Sequence, residues 1–214
     1  MSERLSICSV PAMAGIVGPV LYFVGDLAAS LSTPNYSLIS DSISSLALTH
    51  IGWLQTIGFL ALGLLMEIFV AGLFFSVRRA RGFHLSIGLL LLCGFGMLMI
   101  GAFHMDPSGA PHTIEGAIHS ATAYALALLF PIALLLLIPS LKSDPNWRGI
   151  FVYTLVAGVL ALALTVGLLL LPSLAGWFGL YERIIVANVT IWVAATAIHL
   201  LRLSLKRAPK PEHS

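Results

Sequence analysis

The sequence predicts an all-α protein, a polytopic bundle of six transmembrane helices with a short amphipathic helix between spans one and two. Of its 214 residues, 58% are hydrophobic and only 9% are charged, whereas soluble domains carry about 25% charged residues. Six apolar runs each approach the ~20 residues that a helix needs to cross about 30 Å of hydrocarbon. The runs lack the alternation of a barrel wall, and an open sheet would leave backbone groups unpaired in lipid.

We treat residues 1–214 as a single integral membrane domain. The predicted spans are residues 11–32, 53–77, 83–103, 118–141, 150–171 and 184–203.

The segment between spans one and two, PNYSLISDSISSLALTH, has an amphipathic pattern. Serines and Asp41 recur at the spacing of one helix face, and Ile39, Ile43 and Leu46 form the other. We therefore expect an interfacial helix over residues 36–50, with Asn35 as its cap. Two arrangements are open: the helix floats on lipid headgroups, or it covers a cavity and turns Asp41 and its serines inward.

Basic residues predict the orientation, because Lys and Arg near span ends favour the cytoplasmic side. Ten of the 11 basic residues fall on one side, and Arg183 alone falls on the other. Both termini should therefore be cytoplasmic, in the inner (plasma) membrane. The net charge of +2 is spread along span ends, which gives no indication of nucleic-acid binding.

The connection between spans three and four, HMDPSGAPHTIEGAIH, is rich in potential metal ligands. Pro111 suits a first helical turn, so the helix should already run through His112. Glu115 and His119 then share one face and could share a metal ion, as could His119 with His104 and Asp106. The predicted ligands of a zinc ion are thus His104, Asp106, Glu115 and His119; alternatively, these residues cap helices and contact water.

Two carboxylates lie deeper in the predicted spans, where a charge is penalised by about 3 kcal/mol. Asp26 in span one and Arg183 at the start of span six fall at the same membrane depth, which predicts an ion pair. Glu67 in span two has no evident cationic partner. We expect it to be protonated or to hydrogen-bond Tyr153 or Thr196.

Several motifs resemble the domain-of-unknown-function 998 family of prokaryotic multi-pass membrane proteins. They are PNYS at 34–37, ISSLA at 43–47, GAFHMD at 101–106, HSATA at 119–123 and GLYER at 179–183. The chain has His104 where we would expect proline. The resemblance implies six spans and an outward polar cluster, but no established function.

The chain is more loosely similar to the ceramidase and progestin-receptor group of membrane hydrolases, which gather Ser, Asp and three His around zinc. Residues of these types occur here as Ser44, Asp106, His104, His112 and His119. That group has seven spans and a histidine pair on its last helix, whereas span six here offers only His199. The similarity is an analogy.

The leading hypothesis is a multi-pass protein with an outward polar pocket that binds a lipid or other amphiphile. One alternative is a zinc-dependent hydrolase of lipid esters or amides, with a metal-bound water as nucleophile. A second is a proton-coupled transporter that uses Asp26 and Glu67. The predicted pocket residues are Asp26, Asp41, Ser44, Asp106, Glu115, His119 and Arg183.

Overall fold

The computed structural model describes residues 9–170 and 176–206. Over these residues the chain is all-α, and six helices are long and apolar enough to cross a membrane. This confirms the predicted fold class. The helices are α1 (Ser9–Ser32), α2 (Trp53–Ser76), α3 (Phe83–Ala102), α4 (Ile114–Ser143), α5 (Phe151–Leu170) and α6 (Phe178–Leu205).

The six helices pack in chain order, and α6 returns to α1. Trp192 of α6 is fully buried in the core, with its ring centroid 6.4 Å from that of Phe69 and 5.7 Å from that of Phe130. Its indole N–H donates to the Thr154 hydroxyl at 3.1 Å. This bond satisfies the indole N–H, for which lipid tails offer no acceptor. Gly15 allows α1 to approach Phe69 closely, as small residues do in membrane bundles.

The bundle has two chemically different ends. At the first, which we call the basic end, the backbone N–H of Arg78 donates to Asp144 at 2.9 Å, and the rings of Trp147 and His199 lie 4.9 Å apart. At the second, the site end, residues 33–52 contact the start of α6, and residues 103–113 contact Ser42 and the start of α4. Basic residues of the described chain gather at the basic end, apart from Arg183: Arg78, Arg79, Arg81, Lys142, Arg148, Arg202 and Lys206. The predicted cytoplasmic residues Arg4, Arg207 and Lys210 lie outside the described residues.

The amphipathic helix expected at 36–50 is mostly absent. Turns occupy the first part of this segment, and only Ile43–Leu48 form a helix, of the 3-10 type. Its cap is Ser42, whose hydroxyl accepts from the Ser45 N–H at 3.2 Å, whereas Asn35 has a positive φ of 60°. The Asp41 carboxylate accepts the Ser37 N–H at 2.8 Å, so a side chain satisfies this backbone group and the helix starts later.

Helix α4 begins at Ile114, so the expectation that it runs through His112 was wrong. Thr113 is the cap: its hydroxyl accepts the Gly116 N–H at 3.0 Å. Asp106 in turn accepts the N–H and the hydroxyl of Thr113, at 3.0 and 2.6 Å. These bonds hold Thr113 in an extended conformation and leave His112 outside the helix and fully exposed.

Candidate functional site

Ser44 and His119 meet at the site end of the bundle. The Ser44 hydroxyl oxygen lies 3.0 Å from Nε2 of His119, although the two residues are 75 positions apart. Ser44 belongs to the 3-10 helix and His119 to the second turn of α4. Their exposed fractions are 8% and 5%, so the contact is sheltered from bulk water.

The other nitrogen of the His119 ring is fixed by the end of α3. Nδ1 lies 2.7 Å from the carbonyl oxygen of Phe103, the residue that caps α3. A carbonyl oxygen can only accept, so Nδ1 carries the hydrogen. In the neutral imidazole Nε2 then has the lone pair, and the Ser44 hydroxyl donates to it.

The start of α6 holds the segment that carries Ser44. The carboxylate of Glu182 accepts the N–H of Ile43 at 2.7 Å, and the N–H of Leu180 donates to Ile39 at 3.0 Å. Gly179 lies directly against the Asp41 backbone, where a side chain would overlap the Asp41 carbonyl. These contacts set the position of the residue that precedes Ser44.

Arg183 also holds the turns that precede Ser44. Its guanidinium lies 3.5 Å from the Asp26 carboxylate, which confirms the predicted ion pair. It donates to the Tyr36 hydroxyl at 2.7 Å and to the Leu38 and Asp41 carbonyls at 3.2 Å each. Burial raises the pKa of the Tyr36 phenol, against the lowering effect of Arg183. The phenol therefore stays protonated at neutral pH and donates to the Ser42 carbonyl at 2.9 Å.

A cavity of about 270 Å³ adjoins the Ser44–His119 pair, and side chains from all six helices line it. Its walls are mainly apolar, and Ser42, Ser44, His119 and Glu182 provide polar groups at the site end. Tyr22 also lines it, and the Tyr22 hydroxyl is buried beside the Gln55 side chain. An amphipathic cavity of this kind suits a ligand with an apolar tail and a polar group.

The cavity reaches the surface of the bundle along α4. Ala123 and Tyr124 both line it and are exposed; 57% of Tyr124 is accessible. In a membrane this side of a spanning helix faces lipid tails.

The four predicted zinc ligands do not meet at one point, although two of them, His104 and Glu115, contact each other through the imidazole Nδ1 and the carboxylate at 3.2 Å. Glu115 accepts the His104 N–H at 2.7 Å, and Asp106 is bonded to Thr113. His119 instead turns to Ser44 and Phe103. Within residues 9–170 and 176–206, no group of three or more His, Cys, Asp or Glu side chains is placed to hold a metal ion.

The predicted pocket residues fall into three places. Ser44 and His119 line the cavity, whereas Asp106 and Glu115 stabilise the 103–113 connection. The remaining three, Asp26, Asp41 and Arg183, lie where α1, α6 and the 33–42 turns meet.

Glu182 was missed by the sequence reasoning, although it lines the cavity beside Ser44. The available signal was a carboxylate next to Arg183, within the GLYER motif, at the start of an apolar span. Glu67 lies against Gly94 of α3. Of its suggested partners, Thr196 forms no hydrogen bond through its buried hydroxyl in the described chain, so the Thr196 alternative was wrong.

A family model described as "Protein of unknown function (DUF998)" matches residues 16–199. The matched range includes Ser44, His119 and Glu182, and all five motifs on which the resemblance was based. No curated protein and no solved structure matches the chain.

Proposed function

The chain belongs to the DUF998 family, described as proteins of unknown function, and we propose that it binds a lipid or another amphiphile in the cavity between its helices. The observation that carries this proposal is the cavity itself, which has apolar walls and a polar end built from Ser42, Ser44, His119 and Glu182. Ligand pockets have this composition: apolar lining with a few placed polar groups.

The size of the cavity limits what it can hold. Its volume of about 270 Å³ lies just below the roughly 300–1,000 Å³ of typical ligand pockets. The cavity therefore fits one hydrocarbon chain or part of one, and the rest of the ligand extends past Tyr124 toward the bilayer. The buried Tyr22 hydroxyl on the cavity wall can donate a hydrogen bond to a polar group of the ligand.

We assign the basic end of the bundle to the cytoplasm, in the plasma membrane. The distribution of Lys and Arg among the described residues supports this, since Arg183 alone lies at the site end, where Asp26 pairs with it. The polar end of the cavity then faces the outer interface, at the level of lipid headgroups.

Blocking the cavity mouth tests the proposal. We expect Ala123→Phe to weaken binding of a fluorescent long-chain fatty acid by about tenfold or more, corresponding to ~1.4 kcal/mol, because the added ring fills the mouth. Ala121→Phe is the matched control: Ala121 is also an exposed alanine of α4 but does not line the cavity. Purified wild-type protein should also carry lipid that mass spectrometry detects.

The proposal fails on either of two results. One is a detergent-purified wild-type protein that retains no lipid and does not bind the fatty acid. The other is equal binding by Ala123→Phe and Ala121→Phe, which would place the ligand outside the cavity.

A further inference from the structure

We propose that Ser44 and His119 are a nucleophile and its general base, and that they hydrolyse a carboxylic ester of an amphiphile held in the cavity. The inference rests on the proposed function, because the cavity must bind the ester. It needs no metal ion. The substrate class is a long-chain acyl ester whose hydrocarbon chain occupies the apolar walls.

The geometry meets the requirements of an activated serine. The 3.0 Å between the Ser44 oxygen and His119 Nε2 falls within the roughly 2.6–3.2 Å reach of a nucleophile–base pair. The pair also needs a third group that orients the base. The Phe103 carbonyl does so, since it holds the Nδ1 hydrogen at 2.7 Å and leaves the Nε2 lone pair facing Ser44.

Neighbouring serines lack this arrangement. The Ser45 hydroxyl donates to the Ser42 carbonyl at 2.7 Å, and the Ser40 hydroxyl to Asp41 at 3.1 Å. Ser42 contacts the sulfur of Met105 at 3.5 Å. Among the described serines of this segment, Ser44 therefore combines an imidazole partner with a place in the cavity wall.

The pair is also placed where the ester should lie. Both residues line the polar end of the cavity, so an acyl chain that fills the apolar part puts its carboxyl carbon near this end. Glu182 acts as a positioning residue: it holds the N–H of Ile43, one residue before the nucleophile.

In the first step, the Ser44 oxygen forms a bond to the ester carbonyl carbon while its proton moves to His119 Nε2. The tetrahedral intermediate expels the alcohol, which takes that proton as the C–O bond breaks. The product is an acyl ester of Ser44. Water then attacks the same carbon and gives a proton to Nε2, and Ser44 leaves with this proton to release the free acid.

A fluorophosphonate with a long alkyl chain tests the assignment, because an activated serine displaces its fluoride and forms a stable phosphonate ester. We expect the full-length protein in membranes to carry the adduct on Ser44, located by mass spectrometry of peptides. Labelling should disappear in Ser44→Ala and slow by about 10²–10⁴-fold in His119→Gln, the usual contribution of a general base. Ser45→Ala should react like the wild type.

Hydrolysis is measured in parallel, as fatty acid released from a long-chain monoacylglycerol. The wild-type protein should release it, and Ser44→Ala should not, while both bind the fluorescent fatty acid. Wild-type protein that binds the fatty acid but neither forms the Ser44 adduct nor releases acid overturns the inference and leaves the proposed function standing. Wild-type protein that does not bind the fatty acid overturns the proposed function instead. The adduct is mapped on the wild-type chain, so this test does not depend on a variant that folds.

Discussion

The guanidinium of Arg183 lies 3.5 Å from the carboxylate of Asp26, and the exposed fractions of the two side chains are only 16% and 14%. This pair ties the start of α6, which supports the Ser44 segment, to α1. Removing one partner of a buried ion pair costs about 3–5 kcal/mol, because the other charge stays buried and unpaired. We expect Arg183→Gln to lower the midpoint of thermal unfolding in detergent.

The double variant Arg183→Gln, Asp26→Asn separates the charge effect from lost hydrogen bonds. It should unfold at a higher temperature than Arg183→Gln alone, since no unpaired charge remains. A double variant that is no more stable than the single one would show that an unpaired Asp26 carboxylate carries no such cost.

Gly179 offers a test of how α6 positions Ser44. A methyl group at this position would overlap the Asp41 carbonyl, and because both sides of the contact are backbone, the 33–42 turns must shift. We expect Gly179→Ala to lose about 1–3 kcal/mol of stability, as overpacked sites do, and to slow labelling of Ser44 by the alkyl fluorophosphonate.

Gly88→Ala is the matched control, since Gly88 also lies in a helix but has open space around it. It should leave labelling unchanged and raise stability slightly, because alanine favours a helix by about 1 kcal/mol. Equal labelling rates for Gly179→Ala and Gly88→Ala would contradict the positioning role of α6.

The stabilisation from the Asp106–Thr113 contact should depend on pH. The Thr113 hydroxyl and N–H donate to the carboxylate and lower the pKa of Asp106 below its ordinary value of 3.8. The stabilisation by this contact is therefore complete above the unfolded pKa and is lost as pH falls through the lower folded pKa. Carbon-detected NMR titration should show that Thr113→Val moves the Asp106 pKa upward, whereas Thr113→Ser does not. An unchanged Asp106 pKa in Thr113→Val would show that the Thr113 hydroxyl does not lower it.

The proposed orientation can be read from cysteine labelling in a background with Cys8 and Cys93 replaced by serine. Ser108, at the site end, and Arg81, at the basic end, are both exposed. Ser108→Cys should react with a membrane-impermeant maleimide in intact cells, and Arg81→Cys only after permeabilisation. The reverse pattern would place the cavity's polar end toward the cytoplasm.

Helix number and position were predictable because apolar length is a local property of the chain. Span ends were predicted less well where side chains compete for backbone groups. At Thr113, the Asp106 carboxylate holds the cap extended, so α4 starts at Ile114 and does not run through His112 as predicted. At residues 36–42, Asp41 and Tyr36 bond the backbone locally, and the periodic pattern of serines did not become a helix.

Ser44 and His119 were both among the predicted pocket residues, but the contact between them was not predicted. The spacing of His119 from Glu115 indicated a shared metal, whereas the structure brings His119 to Ser44, 75 positions away. That meeting depends on how the 33–52 segment packs against α1, α2 and α6, where Glu182 and Gly179 hold it. Such long-range placement leaves no periodic signal in one sequence.

The Phe103 carbonyl that fixes His119 is available because α3 stops at Ala102. A helix turns by about 100° and advances 1.5 Å with each residue. One residue inserted into α3 would therefore swing this carbonyl away from the imidazole, although every side chain of the pair stayed intact. The length of α3 therefore determines the orientation of the His119 imidazole. Insertions and deletions in this helix should be tolerated less well than conservative replacements of its lipid-facing side chains.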